Sequence, residues 1–255
     1  MQLIDTHTHL YLPEFDSDRD EMVKRAVNSG VVKLLTPNID VRSVGPMLDA
    51  AERYNGICYP MIGLHPTSVT DDYESQLDEL EKISTEHEFI AVGEIGIDLY
   101  WSKIHLSEQI IALRRQVSMA VRSGLPVVIH SRDSIAEVFS VLDEFRGEEL
   151  KGVFHAFSGT MNDAVKVASS GFKIGIGGPV TFKNSRLDNI VKEVGLQHII
   201  LETDAPYLAP VPFRGKRNES SYICIINRKL AEVSGISEEE VASITYENSC
   251  RLFNT

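Results

Sequence analysis

The 255-residue sequence has only three cysteines, and they are far apart. Cys58, Cys224 and Cys250 form no C-x-x-C pair, so their pattern indicates neither a disulfide framework nor a zinc ribbon. We interpret them as buried thiols.

Long apolar runs are also missing. None approaches the roughly 20 residues that a membrane-spanning helix requires. Asp5 stands where a signal peptide would have a basic start and an apolar core. We therefore predict a cytoplasmic protein without a membrane partner.

Positive charge is scarce, with 25 Lys and Arg against 37 Asp and Glu and a formal net charge of −12. This balance argues against a broad basic face for nucleic acid, because phosphate contacts supply most of that affinity. It leaves room for an enzyme that engages a strand end locally. Negative charge around a pocket would also favour divalent cations.

Glycine-rich nucleotide-binding motifs are absent: the first strand is not followed by G-x-G-x-x-G, and G-x-x-x-x-G-K-[ST] does not occur. Instead, eight β-rich runs recur roughly every 20 to 35 residues, as in a barrel of about 250 residues. They are LIDTH, VVKLLTP, CYPMIGLH, IAVGEIGI, PVVIHS, GVFHAFS, FKIGIGG and HIILETD. Between them lie segments with helical spacing, many closed by a glycine. The pattern predicts an α/β fold, a single (β/α)8 TIM-barrel domain over residues 1–255.

Three of the helical segments can be predicted in more detail. SEQIIALRRQVSMAVRSG predicts an amphipathic helix capped by Ser107. Its apolar stripe would be Ile110, Leu113, Val117, Ala120 and Val121. Two further helices, in YICIINRKLAEVSG and SEEEVASITYENSCRLF, should follow the eighth strand.

Titratable residues cluster at the predicted carboxyl ends of the strands, where barrels of this kind carry their active sites. Each of these residues, taken alone, could instead be a structural histidine or a carboxylate that caps a helix. Together they would leave costly unpaired polar groups unless a cation bound them. The predicted metal ligands are His7, His9, Glu94, His130, His155 and Asp204.

Six donors suffice for two divalent ions, with Glu94 bridging them at a separation of about 3.5 to 4 Å. Zinc, manganese and magnesium all suit the donor set. The predicted catalytic residues are Glu94, Asp204, which would polarise a water, and Glu202, which shares a strand face with Asp204 and would orient a ligand or a water. A structural ion pair is the alternative for Glu202.

Substrate contacts are predicted at the same rim. His65 in GLHP could meet substrate rather than metal, and Arg132 ends the fifth strand. Arg214, Lys216 and Arg217 in FRGKRN form a local basic cluster in an acidic chain, which favours a phosphate clamp. A solvated loop is the alternative.

In DTHTHL, GLHP, GEIGID, VIHSRD, FHAFSG, LETDAPYLAP and RGKRN the sequence resembles the TatD-related DNases of the metal-dependent amidohydrolase-like barrels. The resemblance implies a divalent-metal-dependent deoxyribonuclease, a 3′-to-5′ exonuclease on single-stranded DNA, with RNA as a further substrate. It also implies metal binding by the six ligands given above, with Glu94 shared between two ions. Three positions depart from the family pattern: Tyr11 replaces an acidic residue, Thr67 a histidine and Ser220 a proline.

Two alternatives stay open. One is another hydrolase on the same barrel, acting on a small ester, lactone or amine; many of these carry a carbamylated lysine on the fourth strand, where this chain has Glu94. The other is a catalytically silent metal-binding protein. The sequence is compatible with a monomer and does not determine the oligomeric state.

Overall fold

The computed structural model describes residues 1–101 and 103–255, in which eight strands alternate with helices. The strands are β1 (Leu3–Asp5), β2 (Val31–Pro37), β3 (Cys58–Met61), β4 (Val92–Asp98), β5 (Val127–Arg132), β6 (Gly152–Phe154), β7 (Lys173–Ile176) and β8 (Ile199–Leu201). The helices are α1 (Arg19–Asn28), α2 (Val41–Arg53), α3 (Tyr73–Ser84), α4 (Leu106–Ser123), α5 (Ile135–Leu142), α6 (Met161–Ser169), α7 (Leu187–Val194), α8 (Ile223–Ser234) and α9 (Glu238–Phe253).

The strands close into a barrel. All paired strands are parallel and form two arcs, β1-β2-β3 and β4 to β8 in sequence order. Ile62 and Val92 bridge the arcs on one side. On the other side, the Thr6 amide donates to the Leu201 carbonyl at 3.1 Å. The predicted (β/α)8 barrel is confirmed.

Helix α4 shows where the sequence pattern was right and where it failed. Leu113, Val117 and Ala120 of the predicted stripe are buried. The helix begins after His105, so the prediction of Ser107 as its cap was wrong by two residues. Gly124 ends the helix in the left-handed conformation, with φ of 67°, as its position before β5 indicates.

The amino-terminal end of the barrel is filled by apolar side chains and closed by the last helix. These residues, which we call the apolar floor, are Ile4, Leu35, Met61, Ala91, Val128, Val153 and Ile200 from the strands or the residues beside them, and Leu252 and Phe253 from α9. A larger apolar cluster packs the helices around the barrel. The floor leaves the carboxyl ends of the strands as the open end.

Cys58 is buried, but Cys224 and Cys250 are only half-buried, so the prediction of three buried thiols was wrong for two of them; all three are free. Among the described residues, no helix combines the length and apolar character needed to cross a membrane.

Candidate metal centre

A cavity of about 600 Å³ opens at the carboxyl ends of the strands. Five of the six predicted metal ligands line it: His9, Glu94, His130, His155 and Asp204. A second cavity of about 770 Å³ lies between the segment before α1 and helix α2 and contains none of these six residues. The smaller cavity therefore holds the candidate site, because it alone of the two contains clustered donors.

His7 and His9 approach Glu94 from one side. The Nε2 atom of His7 lies 3.2 Å from Glu94 Oε2 and 3.2 Å from His9 Nε2. Asp204 Oδ1 lies 3.9 Å from His7 Nε2 and 3.7 Å from His9 Nε2. These four residues, from β4 and the segments after β1 and β8, form a first group of donors.

Three more histidines approach the other carboxylate oxygen of Glu94. Oε1 lies 2.8 Å from His130 Nδ1, 3.3 Å from His65 Nε2 and 3.5 Å from His155 Nε2. Glu94 thus touches donors on both sides, as a bridging carboxylate would. His65, predicted to meet substrate, lies in direct contact with Glu94 and also lines the cavity.

The first strand ends before the two histidines of its sequence motif. β1 ends at Asp5, whose carboxylate accepts hydrogen bonds from Thr203 N (2.8 Å) and Thr203 Oγ1 (2.6 Å). Thr6 donates its hydroxyl to the Leu201 carbonyl at 2.8 Å. Within the described residues, neither Thr6 nor Thr8 lines the cavity, whereas His9 does.

Glu202, placed by the sequence among the catalytic residues as a group that orients a ligand or a water, lies beneath His155. Its Oε2 is 3.1 Å from His155 Nδ1, and its Oε1 accepts from the Ala156 amide at 2.6 Å. It is buried and does not line the cavity. On β7, a side chain at Gly175 would overlap this carboxylate, so the glycine makes room for it. This geometry makes Glu202 a positioning residue for His155.

Asp98 is a functional contact that our sequence reasoning missed. Its Oδ2 lies 2.8 Å from His130 Nε2, and its Oδ1 accepts from the amides of Tyr100 and Trp101. The signal was present in GEIGID, because alternate residues of a strand share a face and Glu94 and Asp98 are four residues apart.

Two of the departures from the family pattern lie against the histidines. The hydroxyl of Tyr11 is 3.4 Å from His9 Nδ1. Thr67 Oγ1 is 2.7 Å from His65 Nδ1. Both substitutes therefore keep a polar atom beside an imidazole.

Burial and mutual charge set the protonation states of the cluster. Burial raises the pKa of Asp204 to about 8 and lowers the pKa of His9 to about 4. Burial also lowers the pKa of His155, but the charges of Glu202 and Glu94 outweigh it and raise that pKa to about 10. Burial raises the pKa of Glu94, yet the surrounding imidazoles hold it well below its usual range. A neutral His9 and an anionic Glu94 are the forms that bind cations.

The donor set fits a divalent cation. Donors about 2.0 to 2.2 Å from one ion are separated from each other by about 3 to 4 Å. The described residues contain three such candidate groups, each with its ligand atoms within 4.8 Å of one another. They are His7, His9 and Glu94; His65, Glu94 and His130; and His7, His155 and Asp204. Residues from six segments of the barrel can therefore hold metal here.

The predicted basic residues divide into two kinds. Arg132 lines the cavity, and within the described part of the chain no carboxylate pairs with it. Arg217 instead donates to Asp18 at 2.6 and 2.8 Å and to the Glu14 carbonyl at 2.7 Å. Arg214, which lies over Phe182, and Lys216 are exposed and do not line the cavity. The structure brings only one of the four cations to the site.

This barrel and its donor cluster define a metal-dependent hydrolase. The chain belongs to the TatD related DNase family, whose profile matches residues 4–254. It is 36% identical over 252 residues, 98% of each chain, to YabD of Bacillus subtilis (strain 168), described as an uncharacterized metal-dependent hydrolase. It is 32% identical to the human deoxyribonuclease TATDN3, covering 98% of this chain and 94% of that protein. The crystal structure of Escherichia coli YjjV, a TatD homologue, superposes with a TM-score of 0.93 at 30% identity, covering 99% of this chain and 98% of that one.

Proposed function

We propose that this protein is a divalent-metal-dependent deoxyribonuclease that removes nucleotides from the 3′ ends of single-stranded DNA. The observation that carries the proposal is the position of Glu94, whose two oxygens face separate groups of donors. A cavity with Arg132 at its rim supports a phosphate-bearing substrate. The name of the human relative, a deoxyribonuclease, agrees with this class of substrate.

In this proposal His7, His9 and Asp204 would hold one ion, His130 and His155 would hold a second, and Glu94 would contribute to both sites. Bound Mg²⁺, Mn²⁺ or Zn²⁺ would supply Lewis-acid polarisation of the phosphoryl oxygens and lower the pKa of the attacking water. His65 lies close enough to Glu94 to serve as a further donor or as a substrate contact.

The remaining steps belong to the protein. Asp204 orients the water at its carboxylate and takes its proton. Attack of the water oxygen forms a new bond to phosphorus and breaks the bond to the 3′ oxygen, which takes a proton from solvent and remains on the shortened strand as a hydroxyl; the released nucleotide keeps a 5′ phosphate. Arg132 binds a phosphate oxygen, and Glu202 holds the imidazole of His155 in place.

The test is an add-back experiment on metal-stripped protein. A 5′-labelled single strand should yield a ladder with Mg²⁺, Mn²⁺ or Zn²⁺, and a 3′-labelled strand should release labelled mononucleotide at once. Glu94→Gln, which keeps the shape of the side chain, should lower the rate at least about a hundredfold because it removes the bridging charge.

Parallel reactions with RNA, a lactone and a phosphotriester separate the rival hydrolases. Ester or lactone turnover without strand cleavage contradicts the proposal, as does tight metal binding without any turnover. Degradation from the 5′ end contradicts the direction alone. The single-domain organisation over residues 1–255 and the cytoplasmic location stay predictions.

A further inference from the structure

The rim of the cavity exposes aromatic side chains that the metal chemistry does not use. Trp101 is 69% exposed and Tyr207 is 47% exposed, and both line the cavity. Large apolar side chains grouped at one opening, in a chain that buries most of its others, mark a binding surface. Their position at the mouth of the catalytic cavity assigns that surface to the substrate.

The two rings stand on opposite sides of the opening. Trp101 follows β4 and Tyr207 follows β8, and these strands are four positions apart in an eight-stranded barrel. The ring of Tyr207 lies 6.1 Å from that of His9, close to the donor cluster. A strand end that enters the cavity therefore meets an aromatic ring on the β4 side and another on the β8 side.

Arg132 adds charge to the tryptophan side. Its guanidinium lies 3.8 Å from the centre of the Tyr100 ring and 5.8 Å from that of Trp101. Stacking engages the face of a guanidinium and leaves its N–H groups at the edge available. In residues 1–101 and 103–255 no carboxylate neutralises this charge, so it is complementary to a phosphate.

We propose that Trp101 and Tyr207 form a stacking site for the unpaired nucleobases of the strand end. Arg132 binds a phosphate that links the nucleotides of these bases. The proposal rests on the proposed function and specifies its substrate class. Aromatic rings stack with every base, so the site tolerates any sequence, but it requires bases free of a partner strand. A duplex end must open before it can enter.

Trp101 is the only tryptophan of the sequence, and its fluorescence therefore reports on this site alone. Metal-free protein is titrated with two single-stranded oligonucleotides, one normal and one with abasic 3′-terminal nucleotides. We expect the normal strand to quench the fluorescence, and the abasic strand to quench it much less at the same concentration. Equal quenching by both strands would overturn the proposal.

A double-mutant cycle combines loss of the bases with loss of the ring. With binding followed by the anisotropy of dye-labelled strands, since this variant has no tryptophan, Trp101→Ala should weaken binding of the normal strand about tenfold and leave binding of the abasic strand nearly unchanged. Trp101→Phe retains a ring and should keep most of the difference between the two strands. Ile111→Ala, an exposed apolar residue of α4 outside the cavity, is the control and should bind like the wild type.

The outcomes separate this proposal from the function on which it rests. Metal-dependent cleavage without coupling between Trp101 and the bases overturns the stacking site and keeps the nuclease. Coupling without cleavage in any metal supports the stacking site and contradicts the nuclease. Because Trp101 is exposed, a folding defect is not expected, and circular dichroism of Trp101→Ala verifies this.

Discussion

The two ends of the barrel interior are chemically opposite. At the amino-terminal end the apolar floor packs strand residues such as Ile4 and Ile200 against Phe253. At the carboxyl end the same strands deliver imidazoles and carboxylates, among them the fully buried His7 and the nearly buried Glu94. Burying apolar surface stabilises the fold, whereas burying charge costs free energy that only partners or a cation offset. The contrast teaches that position along the strands, not depth, separates stability from chemistry.

The largest effect should come from the floor. Phe253→Ala should lower the free energy of unfolding by about 3 to 5 kcal/mol, because it leaves a cavity under the barrel. The cleavage rate per folded molecule should stay the same. Urea denaturation and an activity assay at low temperature measure the two quantities.

The matched substitution Phe253→Leu keeps most of the volume and should cost less than about 1.5 kcal/mol. If Phe253→Ala lowers the rate of the folded protein without destabilising it, the two ends are coupled and the comparison fails.

An intermediate effect should come from the support of the cluster. Glu202→Gln preserves shape but removes the charge beside His155, so metal affinity or activity should fall about 10- to 100-fold. In the metal-free protein the pKa of His155 should fall below about 10, since the charge of Glu202 helps to raise it. Calorimetric metal titration and NMR titration of the imidazole measure these changes.

Glu219→Gln is the control, because Glu219 is a buried carboxylate that pairs with Arg25 away from the cavity. It should leave metal affinity unchanged. An equal loss of metal affinity in both variants would show that the effect of Glu202→Gln comes from a general loss of stability and not from its contact with His155.

The smallest effect should separate two arginines that the sequence made equivalent. Arg132→Ala should raise KM for single-stranded DNA several-fold and reduce the salt dependence of binding by about one phosphate contact. Arg217→Ala should leave KM unchanged and lower stability by about 1 kcal/mol, because its partners are Asp18 and the Glu14 carbonyl.

KM values over a range of salt concentrations, combined with thermal unfolding, distinguish the two variants. If Arg217→Ala raised KM as much as Arg132→Ala does, Arg217 would also bind substrate, and the assignment of the basic loop to a structural role would be wrong.

The features that could be predicted from the sequence are those that depend on local patterns of residues. Eight apolar runs and the polar residues at their ends were sufficient for the barrel and for the gathering of His7, His9, Glu94 and their partners. The misses depend on long-range pairing. Arg217 and Asp18 are 199 positions apart, and no local sequence pattern indicates that they form an ion pair. Buried Gln116, whose Oε1 accepts from the Leu64 amide, likewise looks like a surface residue in its helix.

Gly175 contributes to the site because it has no side chain. It carries no side chain and does not line the cavity, so an inventory of functional groups would omit it. Yet the space above its Cα is the space that the Glu202 carboxylate occupies. A single methyl group placed there would displace the Glu202 carboxylate and, through it, the imidazole of His155, without substituting any of the proposed metal ligands.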